Sequence, residues 1–137
     1  MNHFALALAA LVSLTALGLA CSPRDQSGGT SGSRKVVDAP IEAVDVLVRE
    51  SFPPGYTAHI TSGLPSGCAK FDKAEITGRA ADTITIRVTN TMPADDNVAC
   101  TAIYGYHESN VDLGQDFVSG RTYTIKVNDK THTFTAQ

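Results

Sequence analysis

Tryptophan is absent from this chain of 137 residues, and only five Phe and four Tyr are scattered along it. No aromatic platform for stacking bases is legible. Basic residues are not in excess either: 11 Lys and Arg stand against 14 Asp and Glu, for a net charge of −3. There is no basic stripe for nucleic acid, and the charge is too small to steer the protein toward anionic lipid. No nucleic-acid partner is expected. Charged side chains are missing altogether from residues 1–20.

Spacings that mark catalytic or metal centres are missing too. His59, His107 and His132 form no H-x-H or H-x-x-x-H pair. Strand pairing could still bring His107 and His132 together beside Glu108 as a zinc or copper site. None of Ser62, Ser66, Ser109 and Ser119 lies in G-x-S-x-G. The loop "PADDN", residues 93–97, offers two carboxylates and an amide, whereas calcium takes about six to eight oxygens. The expectation is a protein that is not an enzyme and carries no metal or other cofactor.

What is present begins with an apolar run. Residues 4–20, "FALALAALVSLTALGLA", contain only Ser13 and Thr15 as polar side chains. A membrane span takes roughly 20 apolar residues, so the run is short for one. It suits the apolar region of an export signal, and it ends in small residues. Residues 17–21, "LGLAC", resemble the lipobox of bacterial lipoproteins, with Gly18 where that family prefers Leu. The resemblance implies a signal peptide over 1–20 and diacylation of Cys21. One acyl chain anchors only marginally, whereas the two or three of a lipoprotein hold firmly. Ser22 in place of Asp implies freedom to move to an outer membrane. The implied address is export and lipid anchoring to the bacterial cell membrane or outer membrane, with the membrane as a partner through the N-terminal lipid. Residues 22–35, "SPRDQSGGTSGSRK", have nothing apolar to bury beyond Pro23. With Cys21 they read as a flexible tether over 21–35, spanning about 20 Å root mean square.

From residue 36 to 137 the pattern changes to alternation of period two, the mark of half-buried strands. Val44, Val46 and Val48 alternate with Asp45, Leu47 and Arg49, and Tyr56, Ala58 and Ile60 with Thr57, His59 and Thr61. "DTITIRVTN" sets Ile84, Ile86 and Val88 on one side. "YTIKVNDKTHTFTAQ" predicts a terminal hairpin turning at residues 128–130, with Tyr123, Ile125 and Val127 on one face. "AKFDKAEITG" and "ACTAIYGYHES" also read as strands. "FPPGY", "SGLPSG", "MPADDN" and "VSGR" supply turns. About seven strands with no helix predict an all-β fold, an antiparallel Ig-like β-sandwich. "GRTYTIKV" resembles the tyrosine corner of Ig-like domains, implying a turn at Gly120 and a hydroxyl of Tyr123 bonded back to nearby backbone.

Three cysteines are an odd number. With lipid on Cys21, Cys68 and Cys100 are left for a disulfide, which persists in an oxidising compartment. It would close a loop of about 33 residues, worth roughly 3.5–4 kcal/mol by chain entropy. The stretches "SGLPSGCAKFD", "TITIRVTNTMPAD", "VACTAIYG" and "YTIKVNDKTHTFTAQ" resemble a family of uncharacterised bacterial lipoproteins, which implies architecture and no activity. Function is expected in the loops that a sandwich gathers at its ends. Phe52, Tyr56 and Leu64 form the candidate loop for an envelope protein partner, with core closure as their plainer role. The reading is a lipid-anchored, non-catalytic binding or structural module. A loop-based protease inhibitor comes second, without the N-P-T-T-G-Y loop or R-P-W segment of the chagasin type, and a metal-binding or hydrolytic domain third.

Overall fold

The computed structural model describes residues 32–137; the expected signal peptide, Cys21 and most of the expected tether lie outside the described residues. Eight strands follow along the chain: β1 (Arg34–Asp38), β2 (Ile41–Arg49), β3 (Gly55–Leu64), β4 (Lys70–Ala80), β5 (Thr83–Pro93), β6 (Gly105–Gly114), β7 (Thr122–Val127) and β8 (Lys130–Thr135). β1, β4, β5, β7 and β8 make one sheet, and β2, β3 and β6 the other. The sheets pack as a sandwich, β2 over β8 and β4 over β6. The expected all-β sandwich is thus the fold.

Alternation decides what fills the space between the sheets. Ile84, Ile86 and Val88 of β5 are buried while Thr85 and Arg87 are exposed. Ala58 and Ile60 of β3 and Tyr123, Ile125 and Val127 of β7 meet them in one core cluster. Each fully buried Ile or Val contributes about 1.5–3 kcal/mol by leaving water.

β5 is the hub of the five-stranded sheet. β4 pairs antiparallel along one of its edges. The other edge is shared, with β7 parallel to residues 83–86 and β1 antiparallel to residues 89–93. The parallel pair departs from the expected antiparallel pattern, and connectivity explains it. β6 lies in the other sheet, so the chain crosses out and back before entering β7 in the direction of β5. Asn128, just past β7, closes the seam between β7 and β1. Its Nδ2 donates to the carbonyls of Ala39 at 2.8 Å and Val88 at 2.9 Å. Its Oδ1 accepts the Val88 N–H at 3.0 Å. Its φ of +48° lies in the left-handed region, which Asn tolerates better than most residues.

β1 starts at Arg34, before the expected domain boundary at residue 36. The charged side chains that read as tether are instead held on the sheet edge. Arg34 donates to the Thr91 hydroxyl and carbonyl and to the Cys68 carbonyl, and Lys35 pairs with Asp96 at 2.6 Å.

The two ends of the sandwich differ. At one, Phe117 meets Tyr56, Tyr123 and Phe134 with ring centroids 4.8–5.5 Å apart. At the other, residues 65–69 and 94–104 both cross between sheets, and Cys68–Cys100 ties them as expected, with Cα atoms 5.4 Å apart. "ACTAIYGYHES" is accordingly loop as far as Tyr104 and becomes strand only at Gly105.

Candidate functional site

The three loop residues singled out from sequence do not form one surface. Tyr56 is only 2% exposed, pointing inward from β3 with Ala58 and Ile60. Its ring packs on Phe117 and Phe134, and its hydroxyl accepts the Gln137 N–H at 2.8 Å. The alternation that places Tyr56 in a strand also commits it to the core. Leu64 ends β3 half-buried, and Phe52 alone is fully exposed.

The histidines and acids are equally dispersed. His107 stacks on Phe71 of β4 at 3.8 Å between ring centroids, whereas His132 pairs with Ile125 at the far strand of the same sheet as β4. Among the described residues no three His, Cys, Asp or Glu side chains are placed to hold a metal ion. In the loop "PADDN", Asp95 accepts the Asn97 backbone and side-chain N–H groups, and Asp96 accepts Lys35. Those bonds hold both carboxyls below the ordinary 3.8.

One surface was missed from sequence: the outward face of β2, β3 and β6. Register puts Ala43–Thr61–Glu108 in one row across it and Asp45–His59–Asn110 in the next. Gly63 and Tyr106 form the neighbouring row. A bulge in β2 between Ile41 and Ala43 lets Ile41 remain in the core while Glu42 turns outward. Bulges re-aim side chains in this way. Tyr104, arriving from the crossing loop, donates its hydroxyl to Glu42 Oε1. That bond holds the phenol protonated and pushes its pKa up to about 12 from 10.0.

Gly63 is what lets Tyr104 lie there. A Cβ at residue 63 would sit 1.9 Å from the Tyr104 hydroxyl oxygen, so any side chain would displace the ring. Tyr106 meets Tyr104 edge to face at 5.5 Å. Tyr104 is 44% exposed, Tyr106 66% and the adjacent Ile103 67%. Tyr104, Tyr106 and Ile103 thus form an exposed aromatic and apolar group on this sheet face. Its sequence signal was "IYGY", which puts a tyrosine in phase with Glu108, Asn110 and Asp112 on the polar side of β6.

A cleft of about 490 Å³ opens at the aromatic end, lined by Arg79, Asp112, Asp116 and Phe117 among others. Most of its charges are already engaged. Arg79 donates to the Leu113 carbonyl at 2.9 Å, and Asp112 accepts Arg49 and the Gly114 N–H, both at 2.8 Å. The Gly114 N–H and Arg49 hold the Asp112 carboxyl below 3.8.

Two sheets of five and three strands, stapled by one disulfide and carrying an aromatic and acidic outer face, define a β-sandwich domain protein. The chain belongs to the ORF11 beta-sandwich domain family, whose model matches residues 58–136, from the middle of β3 past the end of β8. No curated protein and no solved structure matches the chain significantly.

Proposed function

We propose that the protein is an exported lipoprotein, anchored through Cys21 and tethered by the residues that follow. Its Ig-like sandwich serves as a non-catalytic binding module of the bacterial envelope. The observation that carries the binding reading is the Tyr104–Tyr106 pair, held outward by Gly63 and Glu42. Support for export comes from "LGLAC" and from the Cys68–Cys100 bond, since disulfides persist in oxidising compartments. Support for the Ig-like classification comes from Tyr123, whose hydroxyl accepts the Val118 N–H at 2.9 Å across a turn in which Gly120 has φ +79°. A disulfide between crossing loops, rather than through the core, sets this sandwich apart from antibody domains.

Two measurements test this. Intact mass and peptide mapping of the protein from its native membrane should find diacylglyceryl-modified Cys21 at the N-terminus; an intact Met1 or unmodified Cys21 refutes the anchor. A photo-crosslinker at position 106 should yield a discrete adduct in cells where one at position 130 does not. Equal labelling from both positions refutes the binding face.

A second reading, a loop-based protease inhibitor, is favoured by Phe52, which stands fully exposed beside Pro53. Inhibition of a cysteine protease that is lost in Phe52→Ala would establish it.

A further inference from the structure

We infer that the outward face of β2–β3–β6 seats a lysine or arginine side chain from an extended basic segment of a protein partner, between the Tyr106 ring and the carboxylates of Glu42 and Glu108, with Asp45 drawing the same segment from the next row. The inference rests on the reading of this face as a binding surface and names its occupant.

Charge is the first argument. Outward positions of β3 and β6 carry no Lys or Arg, and on β2 the first is Arg49, whose guanidinium is bound to Asp112 at the far end. The tyrosine end therefore presents three carboxylates against one histidine, His59, whose Nε2 lies 3.9 Å from Glu108 Oε2. Strands lie about 4.8 Å apart and alternate residues about 7 Å apart. Glu42, Glu108 and Tyr106 therefore frame an area of roughly 10 Å by 7 Å, and Asp45 stands one row, about 7 Å, beyond Glu108. The near area suits one ammonium or guanidinium group, and Asp45 adds negative charge along the path of the segment that carries it.

The rings give the second argument. A tyrosine face is the negative side of its quadrupole and attracts a cation within about 6 Å. Tyr104 turns its hydroxyl to Glu42 and its ring toward Tyr106, so Tyr106 is braced and still two-thirds open. Glu42 Oε1 is occupied by the Tyr104 hydroxyl, which orients the carboxylate for an incoming donor. A neutral sugar could use the ring but would gain nothing from the surrounding negative charge. A basic segment uses both.

The test is fluorescence anisotropy on the full chain extracted from its membrane, with labelled octalysine, octaglutamate, a neutral Gly/Ser octapeptide and chitotetraose as probes. Octalysine should bind selectively, weakening as salt rises. Tyr106→Ala should lower its affinity about fivefold, and Tyr106→Phe should restore it. Combined Glu42→Gln, Asp45→Asn and Glu108→Gln should cost more than tenfold, while Glu75→Gln on the other sheet should change nothing. Octalysine binding that ignores Tyr106→Ala and the triple substitution is diffuse attraction and overturns the inference. Adducts at position 106 with no octalysine binding overturn it too, yet leave the binding face standing. Loss of both the adducts and all probe binding removes the face and its occupant together.

Discussion

Replacing Asn128 probes the most demanding junction in the fold. Its side chain makes three hydrogen bonds to backbone groups of β5 and of the link between β1 and β2. A net contribution of about 1 kcal/mol each gives about 3 kcal/mol for the set. Asn128→Ala loses all three and also puts alanine at φ +48°, which adds about 1 kcal/mol, for a total near 4 kcal/mol. Asn128→Gly loses the same bonds without the backbone strain and should cost about 3 kcal/mol. Asn128→Asp keeps an acceptor for the Val88 N–H but sets an oxygen against two carbonyls, so it should be no better than alanine at neutral pH. Urea unfolding monitored by circular dichroism gives each difference from the midpoint and slope. A cost below about 1 kcal/mol for both Ala and Gly, with unchanged slope, would refute the idea that this side chain joins β7 to β1.

Other positions give simpler expectations. Ala81, in the turn between β4 and β5, has φ +49°, so Ala81→Gly should stabilise by about 0.5–1 kcal/mol, and any loss in urea unfolding contradicts the strain argument. Of the four tyrosines, Tyr104 should ionise near pH 12 in alkaline ultraviolet titration, and Glu42→Gln should bring it back toward 10.0. Because that folded pKa is raised, its stabilising share is complete below pH 10.0 and disappears as pH climbs through about 12. Asp95, Asp96 and Asp112 are shifted the other way, so their share is complete above 3.8 and is lost as pH falls through their lower folded values. Comparing unfolding of Asp112→Asn with the parent at pH 7 and pH 3 should show the difference shrinking in acid. Cys68→Ser with Cys100→Ser should lower stability by about 2–4 kcal/mol, measured against the oxidised parent.

Strands whose inward residues are uniformly apolar were legible: β5 through Ile84, Ile86 and Val88, and β7 through Tyr123, Ile125 and Val127. The hairpin joining β7 to β8 turns where "VNDK" puts it. β1 was hidden because Arg34 and Lys35 face solvent on an edge, where composition mimics a linker. The parallel pairing of β7 was hidden for another reason: alternation reports which face a side chain takes, not which neighbour a strand meets. The Tyr104–Tyr106 face was beyond a linear reading because its parts come from three separated segments. Glu42 is turned by a bulge, Gly63 acts by having no side chain, and Tyr104 arrives from a loop.

The position of β1 has a mechanical side. Any pull transmitted through the chain ahead of residue 32 reaches the folded domain first at Arg34, where β1 lies antiparallel to the end of β5. β8 runs parallel to β1 and ends at the opposite end of the sheet, so tension between the two termini runs along β1 and loads its five pairs with β5 in shear. Three hydrogen bonds from Arg34, to Thr91 and to the Cys68 carbonyl, sit at the point of load. The Cys68–Cys100 bond covalently backs the same corner. Arg34 is thus a rivet at the loaded end of a sheared strand, and in single-molecule pulling between the two termini Arg34→Ala should lower the first rupture force. Three side-chain hydrogen bonds and the disulfide meet at the corner where load from the N-terminal side enters the sheet.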